Sequence, residues 1–378
     1  MTSEERREAR YRRRKAQRAA KKAELYGHCD RFESVFSYKN LYQGYKHSRK
    51  GVAWKGSVQK YITQAPLNVA QTYNRLHSGK FRSTGFFEFD IMERGKQRHI
   101  RSVTIGERVV QRCLCDNALV PVLSRTFIYD NGASMKNKGY TFASNRVMKH
   151  LQHHYRKYGT EGYALVFDFS KFFDRVSHDL VKSILRKEFT DERIISLTEH
   201  FIDAFGDIGL GLGSQISQIF ALASANRLDH YIKEVLRIKG YCRYMDDGVL
   251  IHHDKAYLQK CLECIKVICE ELKITFNTKK TQIVKLTHGF TFLKVRYCLQ
   301  PGGRIVRLLP RVSVTRMRRK LKALRRMVDR GTLTCMDVYQ SMQSWSAYAS
   351  NFNAYRTIQN IRKLYDQLFL PAALVWQY

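Results

Sequence analysis

The chain has 378 residues, enough for two or three lobes around a substantial core, and its 44% hydrophobic and 12% aromatic content excludes global disorder. Sixty-seven Lys and Arg stand against 33 Asp and Glu, a formal charge of +34. Self-repulsion on that scale calls for a polyanionic partner, and nucleic acid fits better than an anionic membrane surface because the charge is spread along the whole chain.

Residues 3–26 carry ten Lys/Arg and four Glu, with many Ala and no Pro or Gly. This predicts a basic helix, either lying along phosphates or simply solvated, and Gly27 is expected to end it. The N-terminus has no hydrophobic segment, so a secretory signal is not expected, and no apolar run approaches the ~18 residues that cross a bilayer. Residues 31–160 read as mixed and irregular, apart from helical spacing over 105–123. Residues 163–169, "YALVFDF", form an apolar, partly β-branched run that predicts a buried strand. Helices are predicted over 177–189 and 192–205. "GLGLGSQISQ" (209–218) then leads into a long helical segment to about 238. A hairpin over 241–252, a helix over 254–273 and a β-rich section over 274–299 follow. "QPGG" (300–303) predicts a turn, and the chain is helical and very basic beyond 311. The nine Cys lack a paired CxxC pattern. Cys261, Cys264 and Cys269 share one helical stretch, but no second cluster completes a zinc site. Reduced thiols in a cytoplasmic protein fit better.

Tyr244-Met245-Asp246-Asp247 sets two like charges side by side in a strongly basic chain. Asp and Gly are ordinary turn residues, so "DDG" reads equally well as a hairpin tip, and Asp168 alone reads as a strand-end turn residue. Taken together the three carboxylates offer another reading: two neighbouring strands converging on hard cations. Magnesium prefers oxygen ligands and takes one or two carboxylates plus substrate phosphates. Two such ions ~3.5–4 Å apart activate a 3′-hydroxyl, stabilise a departing pyrophosphate and neutralise the adjacent aspartates.

"ALVFDFSKFF", "GLGSQISQ", "RYMDDGVLI", "LKITFNTKKTQI" and "GFTFLKVRY" occur in the order and spacing of the palm motifs of reverse transcriptases, and the resemblance covers roughly residues 90–350. "SMQSWSAYASNFNAY" also resembles the thumb of compact bacterial members. The resemblance implies an α+β right-hand polymerase: a basic helical extension (1–30), fingers (31–160), a palm with an antiparallel sheet packed on helices (161–297) and a mostly helical, basic thumb (298–378). Asp168, Asp246 and Asp247 match the metal-binding carboxylates, and Phe169 would offer a backbone carbonyl. Two Mg²⁺ ions are implied, with Mn²⁺ as a possible substitute. Phe173 falls where the family places its aromatic steric gate against a ribose 2′-hydroxyl, although Phe172 and Phe173 also read as core. Lys280 matches the basic residue that protonates the leaving pyrophosphate, with an ordinary surface lysine as the alternative. Arg98 and Arg101 resemble the fingers residues that clamp the incoming triphosphate, a task suited to the planar guanidinium fork. Phe292, Leu293 and Lys294 fall in the primer grip, Lys294 standing where relatives commonly have Gly.

Leu212, Gly213, Ser217 and Gln218 resemble the substrate-facing segment of reverse transcriptases from diversity-generating retroelements, where retroviral enzymes read Q-G-x-x-x-S-P. Leu212 stands in place of a Gln able to bond near the nascent base pair, which implies relaxed fidelity, concentrated at template adenines as in that group. Departures from the family are "LGLG" for the usual "IPIG", with Gly211 replacing Pro, and "ASMKNKGY" (133–140) in place of the fingers "RP" pattern. The implied partners are a template RNA, a cDNA or primer, dNTPs and a small helical accessory protein, without a membrane, in a bacterial or phage-encoded cytoplasmic enzyme. A phage-defence reverse transcriptase copying its own non-coding RNA, an inactive nucleic-acid-binding scaffold and an RNA-directed RNA polymerase are the competing readings. Phe173 disfavours the last of these. No nuclease, maturase or integrase segment is recognisable, and a short tail, "LPAALVWQY", follows the expected thumb.

Overall fold

The computed structural model describes residues 2–93 and 95–370. All but the first residue of the expected tail lies outside them. The chain folds as two compact units, each assembled from three stretches of sequence.

The first unit comprises residues 1–139, 169–236 and 264–276. It opens with the helix Ser3–Cys29, started by a capping box between Thr2 and Glu5. Gly27 does not end this helix. It stops at Asp30, whose carboxylate accepts from the Thr190 and Asp191 backbone N–H groups at 2.9 and 3.0 Å. The stretch expected to be irregular is ordered. Short helices span Phe32–Val35, Tyr38–Ser48, Gly56–Thr63 and Ala65–His77. An antiparallel hairpin joins β1 (Phe87–Glu93) to β2 (Lys96–Ser102). Period-2 alternation explains its two faces: Glu88 and Asp90 pair with Arg101 and His99 on one, while Phe87, Phe89 and Ile91 are exposed on the other. The helix expected over 105–123 is present, with a π-turn at Cys115–Leu119 between Ile105–Leu114 and Val120–Leu123. The segment expected to be one long helix to 238 is interrupted. Gln215–Ser224 and Asn226–His230 are α-helical, and Tyr231–Val235 is a π-turn. A core of Val109, Val110, Leu114, Leu119, Ile194, Phe201, Ile216 and Phe220 ties these helices together.

The second unit comprises residues 140–168, 237–263 and 277 onward. Its main sheet contains β3 (Tyr163–Asp168), β4 (Gly240–Tyr244), β5 (Asp247–His252) and β6 (Gln282–Lys285) in the order β4-β5-β3-β6, all antiparallel. Five of the six β3 residues are buried, as expected of a continuous apolar run in a central strand. Ala164, Val166, Val249 and Ile251 pack against Ala143, Val147 and Leu151 of the helix Tyr140–Tyr158. The same core takes in Phe290 and Phe292 of β7 (Phe290–Phe292) and Tyr297 of β8 (Val295–Leu299), in a sheet completed by β9 (Ile305–Leu308). Leu293 and Lys294 join β7 to β8 as a two-residue loop with both residues at positive φ, 51° and 62°. Primed hairpin turns of this kind usually carry Asn-Gly, which explains the Gly common in relatives. Helices Arg311–Asp329, Cys335–Ala349 and Tyr355–Phe369 close over Met317, Leu321, Val338, Met342, Ile361 and Tyr365. No helix of the described residues is long and apolar enough to cross a membrane. The nine cysteines are free thiols.

Candidate active site

The β4–β5 hairpin is built to project carboxylates. Tyr244 pairs with Asp247, so the connecting loop is Met245-Asp246 alone. Met245 takes φ +53°, a left-handed conformation costing a non-glycine residue roughly 1–2 kcal/mol. Its carbonyl accepts from Arg243 Nη1 at 2.8 Å, and the Arg243 side chain is fully buried beneath the turn. Gly248, readable from sequence as part of the turn, lies within β5 opposite Phe167. A Cβ there would come within 2.2 Å of the Phe167 ring. Glycine is therefore required by the ring that crosses it, not by the turn.

The register of β3 on β5 sets Asp168 directly opposite Asp247. Asp168 is buried, and its Oδ2 accepts from Lys280 Nζ at 2.7 Å and from Asn277 Nδ2 at 3.1 Å. The Asn277 backbone N–H also donates to the Asp168 carbonyl at 2.8 Å, fixing the end of β3. Burial pushes the Asp247 carboxyl up to about 7, helped by the negative charges of Asp246 and Asp168 and opposed by Lys280. Burial alone pushes the Lys280 ammonium down. Its hydrogen bond to Asp168 and the three surrounding carboxylates outweigh this and hold its pKa above the ordinary value.

The donor set is oxygen only, which suits Mg²⁺ or Mn²⁺ and not zinc. Among the described residues no three His, Cys, Asp or Glu side chains form a ready-made metal cage. Asp168 Oδ2 is already taken up by Lys280 and Asn277.

The other expected site residues fall in two places. In the second unit, Phe292 is buried in the core while Leu293 and Lys294 form the strained β7–β8 turn. In the first unit, β2 docks on the 211–213 loop. The Arg101 N–H donates to the Leu212 carbonyl at 3.3 Å, and a Cβ on Gly213 would lie 3.1 Å from the Arg101 carbonyl. The Arg101 guanidinium is committed to the Phe205 carbonyl at 2.8 Å and to Glu88 at 2.9 Å. Arg98 lies on the same strand, opposite Ile91. Gly211, the unusual replacement for Pro, has a local cause: a Cβ would come within 2.2 Å of the Phe205 ring. Ser217 is fully buried and its hydroxyl has no hydrogen-bond partner among the described residues, whereas Gln218 is exposed and accepts from Ser134 Oγ at 3.1 Å. Phe169 and Phe172 are buried and in ring contact, and Phe173 is half-buried at the core edge.

Residues 92–297, more than half of the chain, match the family described as Reverse transcriptase (RNA-dependent DNA polymerase). The chain belongs to the reverse transcriptase family. This reverse transcriptase chain is 25% identical over 272 residues to Protein YkfC of Escherichia coli K12, spanning 59% of its own length and 67% of that protein. Among solved structures it is similar to an apo telomerase from Candida tropicalis truncated from its C-terminal domain, with 15% identity and a TM-score of 0.47 over 60% of this chain and 55% of that one. Telomerase from Candida albicans in complex with a TWJ fragment of telomeric RNA is similar at 13% identity and a TM-score of 0.48, over 77% and 62% of the two chains. The reverse transcriptase chain thus spans less than two thirds of these telomerase chains. Asn277, which donates to Asp168, and Arg243, which holds the Met245 carbonyl, are not among the residues that the sequence motifs single out. Asn277 stands inside the "LKITFNTKKTQI" run, and a lone Arg on an otherwise apolar strand is the available signal for Arg243.

Proposed function

We propose that this chain is an RNA-directed DNA polymerase that builds cDNA on a template RNA by two-metal nucleotidyl transfer. The observation that carries this reading is Asp168 facing Asp247 across two strands, with Asp246 beside it at the turn, in a member of this family. In this reading Asp168, Asp246 and Asp247, with the Phe169 carbonyl, hold Mg²⁺, for which Mn²⁺ can substitute. Bound there, the ions would lower the pKa of the primer 3′-hydroxyl and neutralise the departing pyrophosphate. The chain's own groups do the remaining work. Lys280, kept protonated by the carboxylates around it, is the proton donor for the leaving pyrophosphate. Arg98 and Arg101 clamp the triphosphate, Arg101 exchanging Glu88 for phosphate oxygens. The Phe173 ring excludes a ribose 2′-hydroxyl, and Phe292, Leu293 and Lys294 hold the primer end. Leu212 and Gly213 border the nascent base pair, Gln218 adds a polar edge, and buried Ser217 contributes by packing. We assign residues 31–160, 161–297 and 298–378 to fingers, palm and thumb.

The finer reading is a retroelement enzyme that diversifies sequence, with dNTPs, a template RNA, a primer and a small helical accessory protein as its partners. Leu212 supports it, since an apolar side chain there cannot hydrogen-bond near the nascent base pair. Replacing Asp246 and Asp247 with Asn is expected to abolish dNTP incorporation on a primed RNA template while leaving RNA affinity intact. Incorporation at the parental rate would refute the assigned carboxylates.

A further inference from the structure

The N-terminal helix is the part of the first unit with no role in the reading above. Residues 2–24 are exposed on every side, so the helix has no core face over most of its length. Only its last turns are anchored. Tyr26 and Cys29 pack inward, the Tyr26 hydroxyl bonds Glu188, and Arg125 lies 5.4 Å over the Tyr26 ring. A helix polar all round gains nothing from tertiary packing, and this one also concentrates positive charge.

The charge is ordered. Arg7, Arg10, Tyr11, Arg14, Lys15 and Arg18 lie together along one side of the helix. Their spacing of three, four and seven residues puts cations on successive turns, about 5.4 Å apart along the axis. Among the described residues none of these five cations is paired with an acid, whereas Arg12 is paired with Glu8 at 2.6 Å. Tyr11 stands among them, 64% exposed. Cations tracking a backbone, with an aromatic ring among them for a base to stack on, form the recognition chemistry of single-stranded nucleic acid.

We infer that this stripe is a second RNA-binding surface, separate from the polymerase residues, that tethers a single-stranded segment of the template RNA. The inference rests on the polymerase reading only for the identity of the RNA as template. The Glu4 and Glu5 end of the helix carries the capping box and takes no part.

The test uses the full chain and a labelled, unstructured RNA followed by fluorescence anisotropy across a salt series. Changing Arg7, Arg10, Arg14, Lys15 and Arg18 together to Gln keeps good helix formers. It is expected to reduce the slope of log K against log salt by up to about 3.5, at ~0.7 per single-strand phosphate contact. Tyr11→Ala should weaken single-stranded RNA binding about tenfold and leave duplex RNA binding unchanged, with Tyr11→Phe restoring it. Both variants should extend a short, pre-annealed primer–template at the parental rate, which shows that the body remains folded. An unchanged salt slope in the five-residue variant would overturn the inference. So would a loss of binding confined to phosphatidylserine vesicles, which would mark a membrane surface. If the parental protein incorporates no dNTP, the polymerase reading fails, while the anisotropy comparison still decides whether the stripe binds RNA.

Discussion

Asp247 carries an electrostatic load that only the folded chain imposes. Its carboxyl titrates near 7, against an ordinary value of 3.8, because it is buried and faces Asp246 and Asp168. Below the ordinary value both folded and unfolded chains are protonated there, so folding is unaffected. Between the two values the unfolded chain ionises while the folded one keeps its proton, so stability falls as pH rises and the whole burden is present above about 7. In metal-free protein, Asp247→Asn is therefore expected to raise Tm more at about pH 8 than at about pH 5. A thermal melt in EDTA at both values measures this; a gain independent of pH would contradict it. Gly248 shows how far a single residue is dictated by a neighbour remote in sequence, since Phe167 occupies the space a side chain would need, whereas Gly211 answers to Phe205 only a few residues before it. The Phe167 ring is not predictable as a constraint from the surroundings of Gly248 in the chain.

Among the elements, the hairpins divide by what their turns require. The β4–β5 turn keeps Met245 at positive φ and is tied from below by Arg243, so its strain supports the placement of Asp246 and Asp247. The β7–β8 turn places Leu293 and Lys294 both at positive φ. Lys294→Gly should relieve that conformation and stabilise the protein by about 1 kcal/mol, read as a higher urea midpoint at unchanged m-value. No gain would mean that contacts of the Lys294 side chain offset the backbone strain. Elements with strong local patterns were legible in the sequence: the continuous apolar run of β3, the β4–β5 hairpin and the amphipathic helices around 178–203. The helix Tyr140–Tyr158 was not, because its core stripe is about one small or apolar residue per turn (Ala143, Val147, Leu151) among His, Arg and Tyr. The β1–β2 hairpin was missed because its apolar side, Phe87, Phe89 and Ile91, is exposed and its polar side is laced with charge.

At the scale of the molecule, the motif order along the chain was legible because each motif is a short contiguous run, whereas the support for the carboxylates comes from residues far apart in sequence. Asp168 and Asn277 meet across more than a hundred positions, and Gln218 reaches Ser134. Copying fidelity is a property of this larger scale too. If Leu212 borders the nascent base pair as proposed, discrimination between bases loses a contact worth ~1–3 kcal/mol. Sequencing products copied from a defined RNA should then show raised error, concentrated at template adenines if the resemblance to diversity-generating retroelement enzymes holds, and uniform accuracy at all four bases would sink the proposed diversifying role. Each unit is sewn from three separated stretches, the first needing residues out to 276 and the second beginning only at 140. No contiguous fragment contains either unit by itself. During synthesis neither can close until most of the chain has left the ribosome, so folding is slowed by long loop closures. The arginine-rich helix Ser3–Cys29 has almost no core to wait for, so the exposure of its cations does not depend on either unit having closed.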